Sequence, residues 1–178
     1  MNGIIIINKQ KNCTSHDIVH KIKKITKEKV GHTGTLDPMA QGVLPILIGK
    51  ATQCSKYLIN HDKTYNVELK LGIKTETADS EGKVIEQEEV KEYILEEEHI
   101  KKALESMIGK QEQIPPKYSA IKVNGKKLYE YARAGEEIER NKRKIEIFKI
   151  ELISYKDDEI EYKVNCSKGT YIRTLCED

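Results

Sequence analysis

The sequence is organised around twelve consecutive residues, Gly31-His32-Thr33-Gly34-Thr35-Leu36-Asp37-Pro38-Met39-Ala40-Gln41-Gly42. Three glycines and a proline exclude a regular helix or a central strand, because glycine favours unusual backbone conformations and Pro38 keeps Asp37 out of the helical region. The apolar run 43–48 follows directly and predicts buried structure. A carboxylate on a stiff loop beside a core is a common setting for a catalytic group. From the loop alone, a turn in which Asp37 caps its own backbone is the simpler interpretation.

Upstream of this loop, the sequence predicts one strand and one amphipathic helix. The isoleucine run in Gly3–Ile7 predicts a fully buried strand, and residues 8–12 predict a polar turn. Ser15 is predicted to cap the following helix, with Asp17 in its first turn. One helical face should pack on the core, and it carries Ile18, Val19, Ile22 and Ile25.

Downstream of the loop, residues 51–58 predict a short helix, and Thr64–Leu71 alternates between apolar and polar residues as a half-buried strand does. Tyr65 lies on the apolar face of that strand. The alternation alone makes Tyr65 a core or rim aromatic, and a role in a cleft needs further support.

A polar and acidic region separates that strand from the next helix. Residues 72–82 are turn-prone, and residues 83–87 predict a further short strand. The acidic stretch 86–98 leads into an amphipathic helix that is stopped by Gly109. Because acidic side chains repel a phosphate backbone, we expect this stretch to lie away from any RNA.

The stretch 114–144 is predicted to be an insertion within the domain. Pro115-Pro116 breaks regular structure, Asn124-Gly125 is a strong hairpin signal, and 128–134 predicts a short helix. Nine basic and four acidic side chains lie here, interleaved with tyrosines. This composition is typical of a segment that grips nucleic acid, and an exposed loop without a partner is the alternative.

The last part of the sequence predicts a two-stranded hairpin and a helix. Residues 145–155 and 159–166 flank the turn sequence Lys156-Asp157-Asp158, and residues 167–170 predict a further turn. Arg173 then falls in the first turns of a helix. As a lone arginine it would be interpreted as a surface residue.

Composition limits the class of protein. The 178 residues are sufficient for one domain with a core, here taken as 1–178. Residues 1–63 carry ten basic and four acidic side chains, so this block would attract a polyanion. The four cysteines lack Cys-x-x-Cys spacing, which argues against zinc or disulfides and is typical of a reducing cytoplasm. No apolar run approaches the roughly 18–20 residues that span a bilayer, and the N-terminal run lacks the basic leader of a signal peptide.

The loop and the run after it, Gly-His-Thr-Gly-Thr-Leu-Asp-Pro-Met-Ala-Gln-Gly-Val-Leu-Pro, resemble the active-site motif of the TruB family of tRNA pseudouridine synthases. Further segments resemble that family in the same order along the chain. They are Lys63-Thr64-Tyr65, the stretch 72–82 with Thr75, Thr77 and Asp79, the RNA-clasping insertion at 114–133, and Lys168-Gly169-Thr170-Tyr171-Ile172-Arg173. The resemblance implies an α+β fold, with a mixed, largely antiparallel sheet, flanking helices and a central RNA-binding cleft.

The resemblance also implies a reaction and roles for its residues. The substrate would be the T-loop uridine at position 55 of tRNA, flipped out of its stack and isomerised to pseudouridine without metal or cofactor. Asp37 would be the nucleophile, Tyr65 would stack on the uracil, and Arg173 would pair with Asp37 and keep it ionised and oriented. His32 would fill or stabilise the place that the base leaves, and Asp79 would orient the other site residues without contacting the base.

The residues expected to bind the RNA come from these motifs and from the basic blocks. They are His32, Thr33, Thr35, Lys63, Asp79, Lys117, Tyr118, Lys122 and Lys168. The expected partner is the T-arm of tRNA, and the expected protein is a cytoplasmic monomer with no membrane association and no obligatory protein partner. Two alternatives stay open, a relative that works with guide RNA and partner proteins and a non-catalytic RNA-binding module.

The chain departs from the family pattern in two places. The family shows Lys-Pro-x-Gly-x-Thr-Ser near its start, whereas this chain has Lys9-Gln10-Lys11-Asn12-Cys13-Thr14-Ser15, which predicts a looser loop. Family members also continue beyond the Arg-Thr-Leu-Cys-Glu-Asp sequence that ends this chain, with more of the catalytic domain and a small RNA-binding PUA domain. We therefore expect this chain to hold an incomplete catalytic domain.

Overall fold

The computed structural model describes all 178 residues, which form two compact units, Met1–His61 and Asp62–Asp178. Each unit has its own sheet and its own hydrophobic core. Both units combine helices with antiparallel strand pairs, so the α+β class is confirmed.

The first unit is a three-stranded antiparallel sheet with one long helix packed on it. Its elements are β1 (Gly3–Lys9), α1 (Ser15–Thr26), β2 (Val30–His32), β3 (Gly42–Ile48), a 3-10 helix (Gly49–Cys54) and α2 (Ser55–Leu58). The strand order is β1-β3-β2, which makes β3 central. Ile46 of β3 pairs with Ile5 of β1, and Ile48 pairs with Val30 of β2.

The core of the first unit forms between β3 and α1. Leu44, Ile46 and Ile48 alternate along β3 and are buried in a cluster with Val19 of α1. Ile18 and Ile22 of α1 pack against the same cluster. The predicted apolar face of the helix is therefore confirmed except at Ile25, which lies in the last turn and is 80% exposed.

The isoleucine run forms a strand, as predicted, but the strand is not fully buried. Ile4, Ile5 and Ile6 are exposed. The reason is the position of β1 at the edge of the sheet, where it has a neighbouring strand on one side. The prediction of full burial was wrong because β-branched residues favour a strand without specifying its place in a sheet.

Helix α1 begins one residue earlier than predicted, with Thr14 as its N-cap. The Thr14 hydroxyl accepts a hydrogen bond from the Asp17 N–H at 3.0 Å, and the Asp17 carboxylate accepts one from the Thr14 N–H at 2.8 Å. This capping box satisfies two main-chain donors, and its hydrogen bonds hold the pKa of Asp17 below its ordinary value. Ser15, predicted to be the cap, is instead the first helical residue and is buried.

The second unit is built on a four-stranded antiparallel sheet, in the order β4 (Lys63–Lys70), β11 (Glu159–Cys166), β10 (Arg143–Lys156) and β7 (Gly109–Gln113). Its elements are β4 (Lys63–Lys70), β5 (Ile73–Thr75), β6 (Val84–Gln87), a 3-10 helix (Glu92–Leu95), α3 (Glu97–Ser106), β7 (Gly109–Gln113), β8 (Lys122–Val123), β9 (Lys126–Lys127), α4 (Leu128–Arg133), β10 (Arg143–Lys156), β11 (Glu159–Cys166) and α5 (Ile172–Glu177). The long β10–β11 hairpin agrees with the sequence prediction.

The core of the second unit lies on one face of this sheet. Every second residue of β11 is buried, namely Ile160, Tyr162, Val164 and Cys166. Ile100 and Leu104 of α3 join the same cluster, together with Leu175 of α5. The helix that carries Arg173 is therefore anchored in this core.

Two short hairpins connect these elements. β5 pairs with β6, and β8 pairs with β9. The turn between β8 and β9 has positive φ at both central residues, 51° at Asn124 and 82° at Gly125. This is the conformation that an Asn-Gly pair favours in a two-residue hairpin, so the predicted turn is confirmed. The helix predicted after it is also present, as α4.

Candidate active site

Asp37 lies in a turn of the loop between β2 and β3 and is half-buried. The Ala40 N–H donates to the Asp37 carbonyl oxygen at 3.1 Å, which closes a turn over residues 37–40. Pro38 occupies the second position of this turn, where its fixed φ favours the geometry. The loop is therefore a defined turn, as its glycines and proline predicted.

Contacts with main-chain atoms hold the chain on both sides of Asp37. The Ser15 hydroxyl accepts a hydrogen bond from the Leu36 N–H at 2.9 Å and donates one to the Leu36 carbonyl at 3.2 Å. On the other side, the Pro38 carbonyl accepts a hydrogen bond from the Asn12 N–H at 2.9 Å. Both contacts come from the segment that departs from the Lys-Pro-x-Gly-x-Thr-Ser pattern.

Asn12 shows how that segment keeps its turn without the family's glycine. Its φ is 63°, in the left-handed region that glycine favours. Asparagine is one of the few other residues that visit this region routinely. The backbone conformation suited to glycine is thus retained at Asn12, and its N–H still reaches the Pro38 carbonyl.

His32, Thr33 and Thr35 accompany Asp37 in the first unit. The Nδ1 atom of His32 is buried and has no hydrogen-bond partner, and burial lowers the pKa of the imidazole. Thr33 is buried, and its N–H donates to the Pro45 carbonyl at 3.3 Å, whereas Thr35 is exposed. A neutral imidazole with one unsatisfied nitrogen is chemically suited to contact a polar ligand atom.

Lys63 and Tyr65 both lie on β4 of the second unit. Tyr65 pairs with Val164 of β11 and packs against the core cluster. It is half-buried. This placement agrees with a rim aromatic, which was the interpretation from the alternation alone, and a tyrosine at a rim is also of a type that stacks on bases.

Arg173 and Asp79 form an ion pair in the second unit. The Arg173 Nη1 atom lies 3.6 Å from an Asp79 carboxylate oxygen, and the two side chains are only 11% and 9% exposed. The same guanidinium donates to the carbonyl oxygens of Thr77 and Tyr118, each at 3.0 Å. One largely buried arginine side chain therefore joins α5 to the loop before β6 and to the insertion.

The loop around Asp79 is organised by two threonines and a close glycine contact. The Thr77 hydroxyl donates to the Asp79 carboxylate at 2.6 Å, and the Thr75 hydroxyl accepts from the Asp79 N–H at 3.0 Å. At Gly82 a Cβ atom would lie 2.2 Å from the Thr77 Oγ1, so no larger residue fits without movement. The two threonines of the motif at 72–82 thus lie at the positions from which they hydrogen-bond Asp79, which explains their spacing.

Gln113 positions the start of α5, although no motif in the sequence pointed to this residue. It is buried at the end of β7, and its side-chain amide makes two hydrogen bonds to the main chain of Tyr171, the N-cap of α5. The carbonyl oxygen of the amide accepts from the Tyr171 N–H at 2.8 Å, and its nitrogen donates to the Tyr171 carbonyl at 3.0 Å. Gln113 therefore fixes the start of the helix that carries Arg173.

In the 114–144 insertion, many of the basic side chains already have partners within the chain. Lys117 pairs with Glu137 at 3.6 Å, whereas Lys122 is exposed on β8. The Tyr118 hydroxyl donates to Glu76 at 2.7 Å, and this hydrogen bond raises the pKa of Tyr118. The Lys126 ammonium lies 4.5 Å from the centre of the Tyr131 ring. An RNA backbone would have to compete with these mostly exposed contacts, which are weak in water.

The predicted site residues divide between the two units. Asp37, His32, Thr33 and Thr35 belong to the first unit, and Tyr65, Asp79 and Arg173 belong to the second. Lys168 is exposed in the turn before α5. The pairing of Asp37 with Arg173 that the resemblance implies stays a prediction, whereas the contact between Arg173 and Asp79 is present.

The structure contains no group of three or more His, Cys, Asp or Glu side chains arranged to hold a metal ion. None of its helices combines the length and the apolar character needed to span a membrane.

The chain is similar to proteins of one family along its whole length. Residues 22–172 match the family described as "TruB family pseudouridylate synthase (N terminal domain)". The chain is 52% identical to the tRNA pseudouridine synthase B of Clostridium kluyveri, over all of this chain and 61% of that protein. It is 51% identical to the protein of the same name from Bacillus subtilis, over 98% of this chain and 58% of that protein. The chain thus spans about three-fifths of the length of these relatives.

The fold is also similar to solved structures. A chain in a crystal structure of a Cbf5-Nop10-Gar1 complex superposes with a TM-score of 0.71 at 30% identity, over 98% of this chain and 42% of that one. A chain in the structure of an H/ACA RNP bound to a substrate RNA containing 2′-deoxyuridine gives a TM-score of 0.67 at 26% identity.

Proposed function

Because this chain belongs to the TruB family of pseudouridylate synthases, we propose that it carries the catalytic residues of a tRNA pseudouridine synthase. The proposed substrate is uridine 55 in the T-loop of tRNA. The observation that carries the proposal is the 52% identity, over the whole of this chain, to a tRNA pseudouridine synthase B. The defined turn that presents Asp37 supports it.

The proposed reaction rearranges one nucleoside without adding or removing atoms. The C1′–N1 bond breaks, the uracil turns, and C1′ joins C5, while the proton at C5 is lost and N1 gains one. A carboxylate is able to assist by attacking the sugar or the base, and we assign this role to Asp37. The uridine must leave its stack first, which costs roughly a few kcal/mol.

The other proposed roles follow from the family motifs. Tyr65 stacks on the uracil, and its half-buried ring on β4 supports this assignment. Arg173 supplies the positive charge that favours an ionised carboxylate. Its three contacts, to Asp79, Thr77 and Tyr118, support a fixed rather than a mobile guanidinium. His32 contacts the place that the flipped base leaves.

We further propose that lysines of residues 1–63 and of the 114–144 insertion bind the phosphates of the T-arm. The ten basic side chains of the first block, against four acidic ones, support an electrostatic contribution that weakens with salt. We expect a cytoplasmic enzyme that acts as a monomer without a protein partner.

A second candidate is an enzyme that works with guide RNA and partner proteins, which the similarity to the Cbf5 chain favours. The higher identity to the tRNA pseudouridine synthases B favours the first candidate. Conversion of a tRNA transcript by the purified protein alone would decide for the first candidate, and turnover only with a guide RNA and added proteins would decide for the second.

The central experiment compares the wild-type protein with its Asp37→Asn variant on a tRNA transcript labelled with tritium at C5 of uridine. We expect the wild type to release tritium and Asp37→Asn to release none above background, with tRNA binding in a gel shift largely intact. Asp157→Asn is the matched control, because Asp157 is exposed in the β10–β11 turn at φ 53°, which asparagine tolerates. Near-normal turnover by Asp37→Asn would refute the catalytic assignment, and tRNA binding without any turnover by the wild type would favour an RNA-binding module.

A further inference from the structure

We propose that Gln113 and Arg143 are positioning residues for Arg173. The two residues pair across β7 and β10, and both side chains contact Tyr171, the N-cap of α5. We call this pair the Tyr171 bracket. The proposal rests on the proposed function, in which Arg173 favours the ionised form of the catalytic carboxylate. All of the contacts in the bracket lie within the second unit.

The helix that carries Arg173 is too short to fix its own direction. Helix α5 has six residues, whereas isolated helices shorter than about 12–15 residues are marginal in water. No side chain caps its N-terminus. The direction of Arg173, in the first turn, therefore depends on the contacts that other segments make with the start of the helix.

The Gln113 half of the bracket acts on the main chain of Tyr171. Gln113 is only 2% exposed, and its amide accepts from the Tyr171 N–H at 2.8 Å and donates to the Tyr171 carbonyl at 3.0 Å. The same carbonyl accepts from the Leu175 N–H at 3.1 Å, so both of its lone pairs are used. One amide thus joins β7 to the first helical turn and fixes the orientation of both peptide groups of Tyr171.

The Arg143 half of the bracket acts on the Tyr171 ring and on the turn before it. The guanidinium carbon lies 5.6 Å from the centre of the ring, and Nη1 donates to the Gly169 carbonyl at 3.3 Å. Gly169 has φ 80°, and a Cβ atom there would lie 3.1 Å from the same Nη1. Glycine therefore allows both the turn and the close approach of Arg143. A planar guanidinium is suited to contact a ring face and a carbonyl together.

These contacts change the interpretation of the basic run 140–144, whose composition is typical of RNA binding. Both of its arginines are directed at carbonyl oxygens of this chain. Arg140 donates to the Pro115 carbonyl at 2.8 Å, and Arg143 donates to the Gly169 carbonyl. Composition alone therefore overstates the number of cations that this run offers to a phosphate backbone. The consequence is that Arg143 contributes to the rate of the reaction and not to the affinity for tRNA.

The first test measures the Gln113 contact directly by amide hydrogen exchange, which needs no catalytic activity. Methionine has the length of glutamine but lacks the amide, so Gln113→Met should speed exchange at the Tyr171 amide by about tenfold, as expected for loss of a local hydrogen bond. Gln111→Met is the matched control. Gln111 lies on the same strand, and its amide donates to the Met107 carbonyl at 2.9 Å, so exchange at Tyr171 should not change.

The second test measures single-turnover tritium release at saturating tRNA as a function of pH. We expect Gln113→Met and Arg143→Met each to lower the rate constant at neutral pH on the order of tenfold, because small misplacements of a site residue are costly. The acid limb of the pH–rate profile should also move up by about one pH unit, since a carboxylate that loses a nearby positive charge ionises at higher pH.

A merely structural role gives a different result in this test. It would lower the amplitude of the reaction, through unfolded protein, and leave the rate constant and the acid limb of the folded fraction in place. Lys156→Met is the charge control for Arg143→Met, because Lys156 is exposed at the far end of the same strand. We expect Lys156→Met to change neither quantity.

The third test separates positioning from RNA binding. A side chain that binds a phosphate contributes about 0.7–0.9 to the slope of log affinity against log salt concentration. We expect Arg143→Met to leave this slope and the affinity for tRNA unchanged. A slope reduced by about this amount would assign Arg143 to a phosphate and overturn its place in the bracket.

Two further outcomes would overturn the bracket. Unchanged exchange at Tyr171 in Gln113→Met would show that the contact is absent in solution. Faster exchange with an unchanged rate constant and acid limb, or reduced amplitude alone, would show that the contact does not position Arg173. If Gln113→Met does not fold, Arg143→Met decides, because Arg143 is half-buried and tolerates substitution better. A wild type without turnover would overturn the proposed function instead, and the exchange data would still show whether Gln113 holds Tyr171.

Discussion

Asp37 and Arg173 are held in two different ways. The turn at Asp37 is fixed through main-chain atoms of its neighbours, Leu36 and Pro38. The Arg173 guanidinium is itself fixed, by the Asp79 carboxylate and two carbonyl oxygens. The difference teaches that the turn at Asp37 depends on the main-chain contacts of its neighbours, whereas a change at Arg173 removes the link between three segments.

The largest effect on stability should come from Arg173→Met. This change leaves the Asp79 carboxylate in a site where it is only 9% exposed, without its cationic partner. Breaking a buried ion pair from one side costs about 3–5 kcal/mol. We expect a loss of this order in the free energy of unfolding of the second unit, measured by urea denaturation.

A double variant sharpens this test. Arg173→Met combined with Asp79→Asn removes both charges and keeps an acceptor oxygen for the Thr77 hydroxyl, so it should be more stable than Arg173→Met alone. Equal stability of the single and double variants would mean that the Asp79 carboxylate does not need Arg173 as its partner. The contrast between the main-chain contacts at Asp37 and the side-chain contacts at Arg173 would then be wrong.

The next largest effect should come from Gly82→Ala, which tests the packing of Gly82 against Thr77, the residue that donates a hydrogen bond to Asp79. The added Cβ would lie 2.2 Å from the Thr77 Oγ1 and 2.9 Å from the Thr77 nitrogen, so the loop must move. Overpacking of this kind costs about 1–3 kcal/mol. Gly3→Ala is the control, because nothing lies within 4 Å of a Cβ there. A Gly82→Ala variant as stable as Gly3→Ala, by urea midpoint, would contradict the close contact.

A smaller effect is expected at Asn12, whose N–H is one of the main-chain contacts that hold the turn at Asp37. Alanine at φ 63° carries a strain of about 1–2 kcal/mol, so Asn12→Ala should lower the free energy of unfolding of the first unit. Asn12→Gly should not lower it by this mechanism, since glycine adopts the conformation freely. If both variants were equally destabilised, the asparagine side chain rather than its backbone conformation would be responsible.

The smallest effect should be the pH dependence contributed by His32. Burial lowers its pKa below the ordinary 6.5, so the unfolded chain binds a proton more readily than the folded chain. The stability contributed by neutral His32 should therefore be present above pH 6.5 and fall as pH drops from there towards the folded pKa. We expect His32→Gln to remove this part of the slope, measured as unfolding free energy against pH. An unaltered slope in that variant would assign the dependence to other groups.

Features set by neighbouring residues were predictable from the sequence. The alternation of β11, the Asn124-Gly125 turn and the break at Pro38 depend on local preferences, and all three are present. One of the errors was local as well. Thr14 and Ser15 are both good caps, and the sequence does not say which hydroxyl the rest of the fold turns inward.

Contacts between distant segments were not predictable in the same way. Nothing in the residues around Lys9 indicates that its ammonium is buried against the Pro38 carbonyl, because lysine in a polar turn is normally solvated. Asp79 was expected to support the site, but the motif alone did not reveal that it pairs with Arg173. Gln113 carried no signal, since a single glutamine at a strand end has many possible partners.

The edge position of β1 has a consequence for the behaviour of this chain in solution. Along its open side β1 presents main-chain donors and acceptors beside exposed isoleucines at positions 4 and 6, and Val43 of β3 is exposed as well. An uncovered, apolar edge of this kind is a template for intermolecular strand addition. Although the proposed active form is a monomer, concentrated preparations of these 178 residues should therefore self-associate through β1, and Ile6→Lys should prevent this association.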